Sequence, residues 1–396
     1  MTTSTMAGTA FGPYKVELAD VTGNGCPDLV LGYQGAGVVI VEQGDCAAGF
    51  QRLAVNAFQT GDAIGDRHVH NMHLYDADGD GDLDIGITIG GRDIAHPGTV
   101  IVAENVGGGV LAERARLSVP SEAKGVVLGD FDGDGKVDVA ATASGRGTPE
   151  DIPTGRLYIW PRGSGWSFGD PVFVETGYNA YNVVSGDVDA NGTPDFVVAN
   201  AHADYVSVVL NPGEGLFSTG PAVRTLDLPQ PRNWDVPRLN DAKLADLNGD
   251  GALDVLGVST NGGVIGVWPG NGDGTFRAPR VLAAGDEFSA YADICDVDDD
   301  GHMDVIVTHY TSLQRTTVFL GSAGGLLPPT AYPTGLGSYG VTCANYDNPG
   351  SPLDFITANY ASRTISMVRG NRDGTFEPPE TVPRGIKWDG SAWVSE

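Results

Sequence analysis

"DADGDGDLD", residues 76–84, places five aspartates and two glycines in nine positions. Oxygen-bearing side chains at positions 1, 3, 5 and 9 of such a loop can converge on one point, because a glycine at position 6 lets the backbone turn sharply. The pattern recurs as "DVTGNGCPD" from Asp20, "DFDGDGKVD" from Asp130, "DVDANGTPD" from Asp187, "DLNGDGALD" from Asp246 and "DVDDDGHMD" from Asp296. A damaged copy, "NYDNPGSPLD", starts at Asn345. Successive copies begin 49 to 59 residues apart, the period of a repeat architecture.

The surroundings recur as well. A short alternating segment enters each loop ("DAKLAD") and an apolar β-type run leaves it ("LDVLGVS", "MDVIVTH"). A third run follows ("GVIGVWPG"), then a turn into a fourth ("NGDGTFRAPRVLA"). Short runs rich in Val, Ile and aromatics, bounded by Gly, Asn and Asp, are strands. No segment reads as a helix of three turns. Four strands per repeat, seven times, predict an all-β fold: a seven-bladed β-propeller of four-stranded antiparallel blades, each Asp-rich loop joining a first strand to a second. Residues 11–383 form the single propeller, 1–10 an N-terminal extension, and 384–396 a tail placed to clasp blade 1 through Trp388 and Trp393.

The Asp-rich loop, the strand after it and the later "NGDGTF" turn resemble the FG-GAP/VCBS repeat family. The plan over residues 11–383 resembles the N-terminal propeller of integrin α-subunits and calcium-containing propeller lectins. The resemblance implies the fold and bound calcium. It leaves function open, because the family includes adhesion domains, lectins and some enzymes.

Oxygen-only ligands in a flexible loop select a hard cation, and calcium tolerates irregular geometry better than magnesium. Asp76, Asp78, Asp80 and Asp84 form one complete set; Asp130, Asp132, Asp134 and Asp138 a second; Asp296, Asp298, Asp300 and Asp304 a third. Asp187, Asp189, Asn191 and Asp195, like Asp246, Asn248, Asp250 and Asp254, include one neutral ligand and should bind more weakly. Blade 1 offers Asp20, Asn24 and Asp28 with Thr22 at position 3, a weaker site still. Blade 7 lacks Asp at position 1 and gains a residue with Pro349, so no ordinary site is expected there. The expectation is about five structural calcium ions.

The formal charge of −28 is mostly local, since the seven loops hold 24 of the 51 acidic residues and the other 27 nearly balance 23 Lys and Arg. No basic stripe serves nucleic acid, and no apolar run has the length of a membrane span. The start, "MTTSTMAGTAF", is not a signal peptide as written, whereas calcium loops favour a secreted or extracytoplasmic setting. Cys26 and Cys46 fall in the first and third turns of blade 1, on one face, where a disulfide would favour an oxidising compartment. Cys295 and Cys343, at the ends of neighbouring inner strands, read as small buried thiols.

In an up-and-down blade the Asp loops and "DGTF" turns share one face. The opposite face carries the variable connections, and variable loops on one side of a repeat array usually bind. His68, His70, His96, His202 and His309 fall in or beside these segments, with Trp234 in a Pro-rich link. Six residues before each loop stand Tyr14, His70, Lys124, Tyr181, Asn240, Ala290 and Tyr339, a ring that would form an aromatic-walled pocket at the channel mouth. Three residues before each loop stand Glu17, His73, Val127, Val184, Lys243, Asp293 and Thr342, unusually charged for inner strands. Strict alternation would keep His70 and His73 on different strand faces. His68 and His70 could share a transition metal with His96 or His202.

Two functions fit. A binding module would hold a carbohydrate, protein or small-molecule ligand at His68, His70, Tyr181, Trp234, Asn240, Asp241, Tyr291 and Tyr339. An enzyme of the lyase, isomerase or cyclase type would draw acid–base groups from His70, Lys124, Tyr181, His202, Asp241 and His309. No nucleophile or phosphate-loop motif is present in the sequence. Oligomeric state is not legible.

Overall fold

The computed structural model describes residues 10–47, 49–60, 68–91, 97–145, 155–229, 238–285, 288–347, 350, 352–389 and 392–396. Among these, strands form seven four-stranded antiparallel sheets and one three-stranded sheet. The first strands are Lys15–Ala19, Val69–Tyr75, Ala123–Gly129, Ala180–Gly186, Leu239–Ala245, Ser289–Cys295 and Ser338–Ala344. Each pairs with a second strand whose first residue is the last Asp of the loop: Asp28, Asp84, Asp138, Asp195, Asp254, Asp304 or Asp354. Third and fourth strands follow outward in chain order. The only helical turns among the described residues, Gly213–Gly215 and Leu216–Thr219, lie between the third and fourth strands of blade 4.

The second strands are buried along their whole length, which accounts for their richness in Val, Ile and Leu after the leading Asp. The apolar cores lie between sheets. Val21, Val39 and Val41 of blade 1 pack with Ile85, Ile87 and Ile101 of blade 2, and the scheme repeats around the molecule. It closes where Leu29, Leu31 and Ile40 of blade 1 meet Ile356, Ile365 and Met367 of blade 7. The Gly340 N–H also donates to the Tyr14 carbonyl at 3.0 Å. The sheets thus form a closed ring around a channel, a β-propeller, with inner strands lining the axis.

The chain ends seal the junction of blades 7 and 1. Ala10–Phe11, Ile386–Trp388 and Trp393–Ser395 form the three-stranded sheet. Ile386 and Trp393 enter the core between those blades, and Phe11 meets Trp393 edge-on at 5.9 Å. Arg384 Nε lies 2.8 Å from Glu42 Oε2, and the Tyr33 hydroxyl donates to the Arg384 carbonyl at 2.8 Å. Trp388 pairs with Trp393 through the backbone; its side chain lies outside the described residues.

Six of the seven first strands shift register near their start, as between Val69 and Asn71. A bulge breaks period-2 alternation. The simple alternation expected to separate His70 from His73 therefore does not apply in blade 2.

Candidate functional site

The Asp loops are built mainly by their own carboxylates. The position-1 Asp accepts the position-6 glycine N–H, as Asp76 does from Gly81 at 3.1 Å and Asp296 from Gly301 at 2.9 Å. That glycine is left-handed, with φ 95° at Gly81 and 87° at Gly251, a region glycine enters without strain. The position-9 Asp is almost fully buried in every blade. One of its oxygens accepts the position-2 N–H of its own loop, and the other accepts an N–H from the turn after the third strand. For Asp84 these are Ala77 at 2.9 Å and Asn105 at 2.8 Å. Asp354 of blade 7 makes the same pair, with Tyr346 and Gly370, although its loop has lost the position-1 acid. Position 9 is therefore a structural staple whatever else it does.

Four loops bring three carboxylates within 4.8 Å of one another: Asp76, Asp78 and Asp84; Asp130, Asp132 and Asp138; Asp187, Asp189 and Asp195; and Asp296, Asp298 and Asp300. These clusters could hold a metal ion. Asp298 Oδ1 is buried without a hydrogen-bond partner, an orphaned acceptor that a cation would satisfy. Other loops carry substitutes. In blade 5 the Asn248 amide donates to both Asp254 oxygens, and Arg277 lies 2.7 Å from Asp250. In blade 7 Arg369 lies 2.6 Å from Asp347. In blade 1 Thr22 bonds to Asp28, and a Cys26–Cys46 disulfide spans the loop with Cα atoms 5.1 Å apart. Cys295 and Cys343 also form a disulfide, joining the inner strands of blades 6 and 7. Reading them as separate buried thiols was wrong: the two strand ends lie side by side, with Cα atoms 6.6 Å apart.

On the opposite face the expected open pocket is filled. Tyr14 reaches across the channel, its hydroxyl 3.3 Å from those of Tyr181 and Tyr291. Its ring packs on Tyr339 at 4.4 Å, and Tyr339 packs on Tyr310 at 4.5 Å. Tyr14 and Tyr291 are 2% and 5% exposed. The tyrosines satisfy one another and close the mouth, leaving no open pocket among them on this face. The cluster reaches the surface at its rim, where Phe288, Tyr310 and Leu313 are 46%, 43% and 56% exposed. With Gly285, Thr311, Ser312 and Arg315 they line an open groove of about 560 Å³.

The candidate residues separate into three groups. His70, Lys124 and Tyr181 come together: Lys124 Nζ lies 3.2 Å from His70 Nε2 and 5.1 Å from the Tyr181 ring centre. Burial, then the Lys124 charge, holds His70 well below the usual imidazole range, so it is neutral. His68 lies beside it, with ring centres 5.9 Å apart. His309 and Asp241 are instead committed to structure. His309 contacts Ser289 and Thr317, and Asp241 accepts from Asn182, Ala242 and Ala292. His202 packs edge-on to Tyr178 at 5.4 Å, and Asn240 is half-buried in its strand. Trp234 and His96 lie outside the described residues. No histidine joins a metal-type cluster among the described residues.

Beneath the tyrosines the channel holds a cavity of about 310 Å³, lined by residues such as Lys15, Glu17, Asn71, His73, Asn182 and Lys243. Asn71 donates to Asn182 at 2.5 Å and Asn182 donates to Asp241, a chain across blades 2, 4 and 5. Lys15 lies 3.3 Å from the Tyr291 ring centre. Sequence reasoning missed Lys15, Asn71 and Asn182. The signal was available five residues before the loops, where five of the seven blades carry Lys15, Asn71, Asn182, Asp241 and Tyr291 and the other two Gly125 and Gly340.

A closed ring of four-stranded sheets with Asp-rich loops on one face defines a repeat β-propeller. The chain carries FG-GAP-like repeats, matched at residues 76–141, 130–198 and 246–307. No curated protein matches it. Similar solved structures include a lectin from Agrocybe aegerita that recognises non-reducing terminal N-acetylglucosamine, 20% identical, with TM-score 0.54 over 81% of this chain and 80% of that one. BBS1N in complex with ARL6DN is 11% identical, with TM-score 0.55 over 95% and 94%. A putative 6-phosphogluconolactonase from Bacteroides uniformis is 12% identical, with TM-score 0.59 over 97% and 98%. At these identities the likeness is one of fold. Among the described residues no helix is long and apolar enough to cross a membrane.

Proposed function

We propose that this chain is a calcium-stabilised β-propeller binding module that holds a carbohydrate on the face opposite the Asp loops. The carrying observation is the exposed groove of Phe288, Tyr310 and Leu313 beside Arg315. Aromatic faces next to a polar group stack on the apolar face of a sugar while the polar group fixes its hydroxyls. The fold shared with a lectin supports this reading. Calcium is the ion of choice because the four clusters offer only oxygens in irregular loops. The two disulfides favour an oxidising setting.

The enzyme reading is weaker. Its best group is His70, whose Nε2 is engaged by Lys124 and whose ring is buried and neutral. A base so engaged is not free to take a substrate proton.

A glycan array run with calcium and with chelator tests the proposal. Binding of glycans sharing one epitope, lost in Tyr310→Ala, supports it. No glycan binding, or binding unchanged in Tyr310→Ala and Phe288→Ala, overturns the groove as a sugar site and leaves a protein partner to be sought.

A further inference from the structure

The channel cavity is separate from the aromatic groove and has its own chemistry. Its lining starts at Tyr291 and runs toward the Asp-loop ends of the inner strands, at Ser185 and Leu244. Tyr14, the cross-channel tyrosine, closes the other end. At about 310 Å³ the cavity lies at the low end of small-molecule sites, roughly 300–1,000 Å³.

The lining carries Lys15, Lys243 and Glu17. Asp293 and Asp241 lie behind it, close enough to bring the charges near balance. Lys243 Nζ and Asp293 Oδ1 are 3.9 Å apart, a loose pair. Asp293 Oδ2 accepts the Cys343 N–H at 2.9 Å. Among the described residues the Glu17 carboxylate has only longer-range charge partners, and burial pushes it up to about 7. His73 accepts the Leu128 N–H at Nδ1, so its neutral ring carries its proton on Nε2.

A half-buried carboxylate without a hydrogen-bond donor is costly unless something fills that role. A cation would meet two ammonium groups, and an anion would meet the Glu17 carboxylate with Asp293 and Asp241 behind it. Each lining charge already has an opposite charge nearby, so no formal counter-charge is called for. What the lining lacks is hydrogen-bonding partners that both donate and accept. We propose that the channel is a second ligand site, open toward the Asp-loop face, that takes a neutral polyhydroxylated molecule of monosaccharide size. Glu17 accepts from its hydroxyls, and Lys15, Lys243 and His73 Nε2 donate to them.

The site does not depend on the groove, and the test keeps them apart. The full chain with calcium is titrated calorimetrically with glucose, galactose and N-acetylglucosamine, and with glucuronate and glucosamine as charged analogues. The expected result is saturable binding of at least one neutral sugar, weakened about tenfold or more by Glu17→Gln, the loss of one charge-assisted hydrogen bond. Ser185→Leu, which narrows the cavity without touching a charge, should weaken it as well, while Tyr310→Ala leaves it unchanged. Four results would overturn the proposal: no saturable heat, tighter binding of either charged analogue, insensitivity to both channel variants, or loss of binding in Tyr310→Ala.

Discussion

The Asn105 side-chain amide donates to the Val21 carbonyl at 2.7 Å, so the outer turn of blade 2 closes on the Asp loop of blade 1. The Asn105 backbone N–H meanwhile binds Asp84 of its own blade. The link repeats. Asn211 donates to Phe131 at 2.7 Å, the Gly274 N–H to Val188 at 3.0 Å, and Arg162 to Ala77. The Asp loops of blades 1 to 4 are thereby each braced by the outer turn of the following blade. Asn105→Ala should cost about 1–3 kcal/mol of unfolding free energy, since it strands a buried carbonyl. Urea denaturation measures it, and a change within about 0.5 kcal/mol would class the bond with ordinary surface contacts.

The two kinds of loop aspartate should respond differently to chelation. Asp84→Asn damages the staple and should lower the melting temperature with or without calcium. Asp78→Asn removes a carboxylate from the cluster and should lower it only with calcium present. At millimolar calcium, a site with a dissociation constant of about 10⁻⁴ to 10⁻³ M gains only about 0.4–1.4 kcal/mol, so the effect comes from several sites acting together. Chelation should lower the wild-type melt by several degrees, and an unchanged melt would sink the calcium reading.

Positions 4 of the loops offer a gain of stability. Ala190 and Asp299 hold φ of 58° and 59° where Gly79 and Gly249 stand in other blades. Ala190→Gly should stabilise by about 0.5–1 kcal/mol, because a left-handed backbone strains any Cβ. Thermal melting in chelator isolates this from any metal effect.

Much of this was legible because the repeat is written in short-range chemistry. Asp-Gly spacing and apolar runs specify loops and strands locally, so strand order followed from "DADGDGDLD" and its copies. The channel mouth was not legible. Whether Tyr14, Tyr181, Tyr291 and Tyr339 wall a pocket or fill it depends on side-chain volumes meeting across some 150 to 300 residues of sequence, as in the Tyr14 contacts to Tyr181 and Tyr291. The bulges near strand starts, such as that between Val69 and Asn71, also have no period-2 signature. Cys295 and Cys343 were placed on neighbouring strands correctly. Their bond depended on a distance that spacing does not give.

Glu17 should leave a mark on the pH dependence of stability. Burial raises its carboxyl to about 7, Lys243 and Lys15 pull it down, and Asp293 and Asp241 push it up. A group whose folded pKa exceeds its unfolded value, near 4.5, stabilises the fold most when protonated. Its contribution is present below about 4.5 and lost as pH rises to about 7. Lys15, lowered by burial to about 8, acts in another window: its contribution falls as pH drops from about 10.5 to 8. Glu17→Gln should therefore gain on the wild type between pH 4.5 and 7, by on the order of 2 kcal/mol after allowing for solvent in the channel. Paired melts across that range test it, and a constant difference would mean that Glu17 titrates as it does in water.

The two disulfides should differ in weight. Cys26–Cys46 closes 20 residues within blade 1, whereas Cys295–Cys343 closes 48 and joins two blades. Chain entropy alone assigns about 3 kcal/mol to the first and about 4 kcal/mol to the second. The second bond also sits beside Asp293, which holds the Cys343 N–H at the channel rim. Cys295→Ser with Cys343→Ser should therefore destabilise more than Cys26→Ser with Cys46→Ser, and only the former should disturb ligand heats in the channel. The blade 1 pair should instead change how the Asp20 loop frays, read by amide exchange at Asn24 and Gly25, whose N–H groups Asp20 holds at 3.0 and 2.8 Å. Melting losses that differ only by the roughly 1 kcal/mol chain entropy assigns, with no local exchange difference, would show that both bonds act only on the unfolded chain.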